Sequence, residues 1–314
     1  MGNQNVVNEI MDLKKKKNAI ILAHYYQTGD IQDIADFVGD SLALSQKAAS
    51  NDADIILFAG VKFMAETAKI LAPGKKVLLP DMAAGCSLSD SCRAEDLQRF
   101  IQEHPGRTVV TYVNTSAEVK ALSDIICTSS NAVQIVQSLP PDEKIIFAPD
   151  RNLGNYVLNK TGRDIAVYNG TCHVHEEFSL EAILKLKEQN PDAKIIVHPE
   201  CELPVRLVAD FIGSTSALLQ FTKKDNGSSY IVATEAGIIH QMIKENPGKT
   251  YIPAPPRDST CGCSECNFMK LITVGKILNC LKNESPEILL DEELVRKARI
   301  PISRMMEISE KLGL

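Results

Sequence analysis

The chain has 314 residues, 44% of them hydrophobic and 24% charged, and a formal net charge of −6. That length exceeds one ordinary domain and fits two or three, each able to bury a core; a mildly acidic chain with interspersed charges offers no general attraction to nucleic acid or an anionic membrane. No window approaches the 18 apolar residues of a membrane span and no signal-peptide stretch follows the N-terminal charges, so a cytoplasmic protein is expected, in which nine cysteines point to metal or catalysis before disulfides.

In chain order, residues 8–17 read as a charged helix whose Lys14 to Lys17 run is a solvated end, broken by Asn18 before a strand ending at His24. The apolar spacing of Ile31, Ile34, Ala35 and Val38 predicts a helix, and a second is predicted over 41–49. A strand over 54–59, a helix over 61–71 stopped by Pro73-Gly74, and a strand at Val77 complete a unit that ends in Cys86. The second unit opens with a helix over 94–103 and the third with a helix over 180–189, each followed by the same succession. A helical stretch over 271–282, a break at Pro286 and a segment rich in Leu, Glu and Arg close the chain.

The succession is a repeat. Cys86 and Cys172 are 86 residues apart, and Cys261 lies 89 beyond Cys172, or Cys266 94 beyond. Strand ends at His24, Tyr112 and His198 are separated by 88 and 86 residues, and so are the hydroxyl residues Ser41, Ser129 and Thr215 at predicted helix starts. Several markers in one order, three times over, predict three similar α/β/α domains with small parallel sheets around a pseudo-threefold axis. The boundaries expected are 1–85 together with the C-terminal helices from about 270 to 314, then 86–171 and 172–269.

Parallel sheets present ligands at the carboxyl ends of their strands, which is where the cysteines, His24, Tyr112, Asn114, His198 and Glu200 fall. If the units face inward, three thiolates meet and leave one vertex of a 4Fe-4S cluster without a cysteine, open to act as a Lewis acid. A hydroxyl at a helix start is ordinarily an N-cap, but the recurrence of Ser41, Ser129 and Thr215 favours anion binding by helix N-termini.

The stretches Ala23-His24-Tyr25-Tyr26-Gln27, Gly39-Asp40-Ser41-Leu42, Pro80-Asp81-Met82-Ala83-Ala84-Gly85-Cys86, Tyr112-Val113-Asn114, Asn169-Gly170-Thr171-Cys172-His173-Val174-His175-Glu176 and His198-Pro199-Glu200-Cys201 resemble the quinolinate synthase (NadA) family. The resemblance implies three α/β/α domains around an oxygen-sensitive 4Fe-4S cluster held by one cysteine from each. It also implies condensation of iminoaspartate with dihydroxyacetone phosphate to quinolinate, with loss of phosphate and two waters, and transient contact with the enzyme that produces iminoaspartate. It places Cys86 and Cys172 on the cluster; for the third ligand the period favours Cys261 and the Phe268-Met269 context favours Cys266, which is preferred. His24, Ser41, Tyr112, Val113, Asn114, Ser129, His175, His198, Glu200 and Thr215 are the expected substrate contacts, Val113 through its backbone alone. Glu200 near His198 is the expected base and would need a raised pKa; Tyr112 and Asn114 orient the intermediate, and Tyr26 is an acid at the mouth.

Two other readings stay open. One is a different cluster-dependent hydroxy-acid dehydratase; the other is a non-catalytic protein that binds a phosphorylated metabolite, stapled by zinc on Cys261, Cys263, Cys266 and Cys280. Cys92, Cys127 and Cys201 read as ordinary buried thiols.

Overall fold

The computed structural model describes residues 3–258 and 264–314, so Cys261 and Cys263 lie outside the described residues. Twelve strands among the described residues form three four-stranded sheets in which every pairing is parallel. The first uses β1 (Ala19–His24), β2 (Phe37–Gly39), β3 (Ile55–Ala59) and β4 (Lys76–Leu78), in the order β2-β1-β3-β4. The second uses β5 (Thr108–Tyr112), β6 (Ile125–Cys127), β7 (Ile145–Ala148) and β8 (Ile165–Val167), ordered β6-β5-β7-β8. The third uses β9 (Lys194–Val197), β10 (Phe211–Ile212), β11 (Ser229–Ala233) and β12 (Thr250–Pro253), ordered β10-β9-β11-β12. Helices flank each sheet, so the strands are covered on both faces: every residue of β3 and β7 is buried, which is why they read as unbroken apolar runs.

The helices Ser41–Ala49, Ala94–Glu103 and Leu180–Gln189 have the limits predicted for them. Not every assignment holds. Val38 was expected on a helix, but that helix ends at Ile34 and Val38 lies in β2. The error has a general cause: β2, β6 and β10 are edge strands of two or three residues, too short to show any period.

Each of these short strands is introduced by an aspartate that repeats with the same spacing, Asp36, Asp124 and Asp210. Their carboxylates accept the N–H of Ile21, Val109 and Ile195, each at 2.7 Å, while their own N–H groups donate to the carbonyls of the same three residues. The aspartate thus extends a ladder the edge strand is too short to provide. Gly39 and Gly213 end β2 and follow β10. A Cβ there would stand 2.8 Å and 2.9 Å from the rings of Phe37 and Phe211 respectively, whereas the second unit has Ile125 instead of Phe and accommodates Cys127.

The C-terminal segment divides between neighbours. The helix Val274–Asn283 packs on the N-terminal helix Asn3–Lys16 and on β3, and the 20-residue helix Glu292–Lys311 lies across the helix Lys62–Leu71 of the first unit and the helix Ala117–Ala121 and β6 of the second. Asn131 donates to Ser309 at 2.9 Å, fixing that helix to the start of the helix Ala132–Ser138. No described helix is long and apolar enough to cross a membrane.

Candidate active site

Strand register shows which residues are equivalent. Ala23, Thr111 and Val197 pair with Ala59, Ala148 and Ala233, so the residues that follow, His24, Tyr112 and His198, occupy one position in three sheets. Two residues later come Tyr26, Asn114 and Glu200. All six leave the carboxyl edge and line one cavity of about 60 Å³, together with Ser41, Ser129, Thr215, His175, Cys86, Cys172 and Cys266. Of the predicted site residues only Val113 does not line it: its N–H donates to Cys127 and its carbonyl accepts from Thr115, so its backbone is already committed. A far larger groove, about 950 Å³, runs along the helix Glu292–Lys311 but has no cysteine or histidine among the described residues lining it.

Glu200 is the hub. It is 2% exposed, accepts the Tyr112 hydroxyl proton at 2.5 Å, and stands 3.1 Å from His175 Nδ1 and 3.7 Å from His198 Nδ1. The rings of His175 and His198 stack at 4.5 Å. Beyond them His198 Nε2 meets the Ser129 hydroxyl at 3.2 Å and His175 Nε2 meets Thr234 at 3.0 Å, while the Tyr26 hydroxyl bonds both Thr215 and Thr234. Side chains of all three units are therefore joined in one buried network, where partner loss is costly.

Burial pushes the Glu200 carboxyl up, but the neighbouring His175 and His198 and the hydrogen bonds from His175 and Tyr112 outweigh it and hold it below the usual carboxylate range. That direction is the opposite of the raised value expected for a base. Burial lowers His24 to about 4 and His198 to about 3, the latter also through His175, so both rings are neutral at pH 7. Burial and then Glu200 raise Tyr112 and Tyr26 well above the usual phenol, which keeps both as donors.

The hydroxyls expected to bind anions are mostly spared capping. Asp40 caps the helix Ser41–Ala49 and Ser214 caps the helix Thr215–Lys224, leaving Ser41 and Thr215 one position inside each N-terminus. Ser129 lies not on a helix but in the turn before Ala132, where Asn131 accepts the N–H of Thr128. No lysine or arginine is among the described residues lining the cavity, so an anion there meets hydroxyls, helix N-termini and imidazoles instead of fixed cations.

The three cysteines fit a metal group by their donor chemistry. Each is a free thiol on the cavity wall; burial raises Cys86 to about 12, helped by Cys266, and raises Cys172 and Cys266 too, with Cys172 also opposed by Glu200 and Cys86. Thiols that disfavour one another as anions are the ones a cation would deprotonate together. Cys172, His175 and Glu200 also bring one ligand atom each within 4.8 Å of one another. Cys280, by contrast, packs in the apolar core on the helix Val274–Asn283, and Cys92, Cys127 and Cys201 are buried away from the cavity wall.

Sequence reasoning missed Thr234, Lys270, Asp150 and Glu235, and it left Asp40, quoted in a motif, without a role. Asp40 accepts the Ser130 hydroxyl proton at 2.6 Å and so ties the first unit to the second. Lys270 donates to the Tyr26 carbonyl at 2.8 Å and pairs with Glu235 at 3.0 Å. The repeat itself was the available signal: Asp150 and Glu235 each stand two residues beyond the alanine that ends β7 or β11.

The sequence profile described as quinolinate synthetase A protein, NadA, matches residues 8–307. The chain is similar to the quinolinate synthase of Thermosynechococcus vestitus, 57% identical over 305 residues covering 97% of this chain and 96% of that protein. It is 58% identical to that of Synechocystis sp. over 306 residues, 98% and 96% of the two chains. The quinolinate synthase of Microcystis aeruginosa is 58% identical over 300 residues, 96% and 94%. The chain belongs to the quinolinate synthetase A (NadA) family.

Proposed function

We propose that the protein makes quinolinate by condensing iminoaspartate, delivered by the enzyme that produces it, with dihydroxyacetone phosphate, releasing phosphate and two waters. Cys86, Cys172 and Cys266 would hold a 4Fe-4S cluster, whose iron without a cysteine supplies a Lewis acid toward a substrate oxygen or nitrogen. The observation that carries this reading is the convergence of one cysteine from each unit on the wall that Glu200 also lines.

The chain's own groups have distinct tasks. Ser41, Ser129 and Thr215 offer hydroxyls to the phosphate and carboxylates, and the nearby helix N-termini add positive potential. Asn114 Oδ1 is buried with no hydrogen-bond partner, an acceptor suited to an N–H or O–H of the substrate. Glu200 takes the proton in the condensation and dehydration steps, with Tyr112 hydrogen-bonded to it and Tyr26 placed as donor across the cavity. Two substrate carboxylates entering a dry cavity repel the Glu200 anion and raise its pKa, so its strength as a base develops on binding. His24 and His198 remain neutral and orient the substrate.

The test is the composition and activity of protein purified without oxygen. About four iron and four sulfide per chain, lost in Cys266→Ala, with quinolinate formed from the two substrates, is the expected result. Zinc without sulfide, and no quinolinate, would overturn the reading in favour of a zinc-stapled binding protein.

A further inference from the structure

The three units differ at the position two residues beyond the end of the middle strand. It is Val61 in the first, Asp150 in the second and Glu235 in the third, following Ala59, Ala148 and Ala233. Asp150 and Glu235 are fully buried, and each accepts the backbone N–H of the cavity cysteine that comes after the last strand of its own sheet: Cys172 at 3.1 Å and Cys266 at 3.0 Å. Val61 has no such group. The main-chain bond one residue on is shared by all three units, Lys62, Arg151 and Ala236 donating to the carbonyls of Ala84, Gly170 and Ser264 at 2.8, 2.7 and 3.0 Å, so the carboxylate is what the first unit lacks.

Ordinary structural duties do not require these carboxylates. Asp150 caps the helix Arg151–Thr161 through Oδ1, at 2.8 Å from Leu153 N, a task a serine performs without burying a charge; Oδ2 is the atom on Cys172. Glu235 is not a helix cap. Oε2 accepts from Gly237 N at 2.7 Å, and Oε1 takes both Cys266 N and Lys270 Nζ. Lys270 in turn grips the Tyr26 carbonyl, so the loop of the third cysteine and the Tyr26 loop of the first unit share one buried ion pair.

We propose that Asp150 and Glu235 are positioning residues for a metal group on the three cysteines, fixing Cys172 and Cys266 through their backbones while Cys86 is held without a carboxylate. The proposal rests on the cluster reading above. It makes the three ligands unequal: two depend on a buried carboxyl group behind them, and one does not. Outer-shell partners of this sort govern how tightly a metal site retains its metal.

The experiment follows iron loss to a chelator under anaerobic conditions from the wild-type holoprotein and from Asp150→Asn, Glu235→Gln and Asp210→Asn. The first two turn an acceptor toward a donor at the cysteine backbone. Asp210→Asn does the same to Ile195, 2.7 Å from its carboxylate and not on the cavity wall, and so reports a purely structural loss. Asp150→Asn and Glu235→Gln are expected to release iron about tenfold faster than wild type, with Asp210→Asn at the wild-type rate. Wild-type rates in the first two variants, or equal acceleration in Asp210→Asn, would overturn the proposal. Should Glu235→Gln not fold, Glu235→Asp, which keeps the charge but withdraws the oxygens, must show the same fast release. A wild type that never holds iron and sulfide would instead overturn the cluster reading, a different result.

Discussion

The central cavity and the groove along the C-terminal helix are opposites. The groove is some fifteen times larger by volume, about 950 Å³ against about 60 Å³, and it is walled by arginine, glutamate and the exposed side chains of Leu289 and Ile300. The cavity has no lysine or arginine among its described residues, yet it gathers the three cysteines, three imidazoles, two phenols and the buried Glu200. Space and charge in the open are screened and cheap. Strand ends turned inward supply fewer groups, but each is desolvated and fixed by another, and that is what chemistry requires.

The contrast can be broken most sharply at its centre. Glu200→Gln should keep its metal content and lose turnover by about 10²- to 10⁴-fold, measured as quinolinate formation; a variant that turns over like wild type removes Glu200 from the proton steps. The next effect is on stability. His24 has its pKa lowered to about 4 in the folded chain, so below its ordinary 6.5 the unfolded chain binds a proton that the folded chain refuses. Stability must therefore fall as pH drops from 6.5 toward 4, by up to about 3 kcal/mol from this ring. Denaturant titration of the metal-free protein should show that slope on top of the one from His198, and His24→Asn should remove the His24 share and leave the rest. Smaller again, Ser41→Ala and Ser129→Ala should each raise KM by about threefold to tenfold, the worth of one hydrogen bond, with the phosphorylated substrate the more affected. If neither moves KM, the anion is bound elsewhere. At the other pole, Arg299→Ala in the large groove should leave turnover unchanged and stability within about 0.5 kcal/mol; a loss of turnover there would erase the distinction drawn here.

How much could be read beforehand follows the same physics. Residues at strand ends were legible because a repeat fixes their place and a chemical type marks them: His24, Tyr112 and His198, and with them Tyr26, Asn114 and Glu200, did gather on one wall. Strands of two or three residues were not, since Phe211-Ile212 has no period to detect. The ionisation of Glu200 was misjudged because its direction depends on His175, 25 residues away in sequence but 3.1 Å in space. Asp150 escaped for another reason: a carboxylate whose partners are backbone N–H groups leaves no complementary side chain in the sequence to pair it with, while the partner of Glu235, Lys270, lies 35 residues further on.

One consequence concerns synthesis. Cys86, Cys172 and Cys266 come from successive thirds of the polypeptide, and the Tyr26 hydroxyl finds its partners only at Thr215 and Thr234. A ribosome that has made the first two units exposes two thiols and an unpaired tyrosine, a poor trap for iron. For the cluster proposed above, loading would be scheduled by translation: the cavity wall is complete only after residue 266 has emerged.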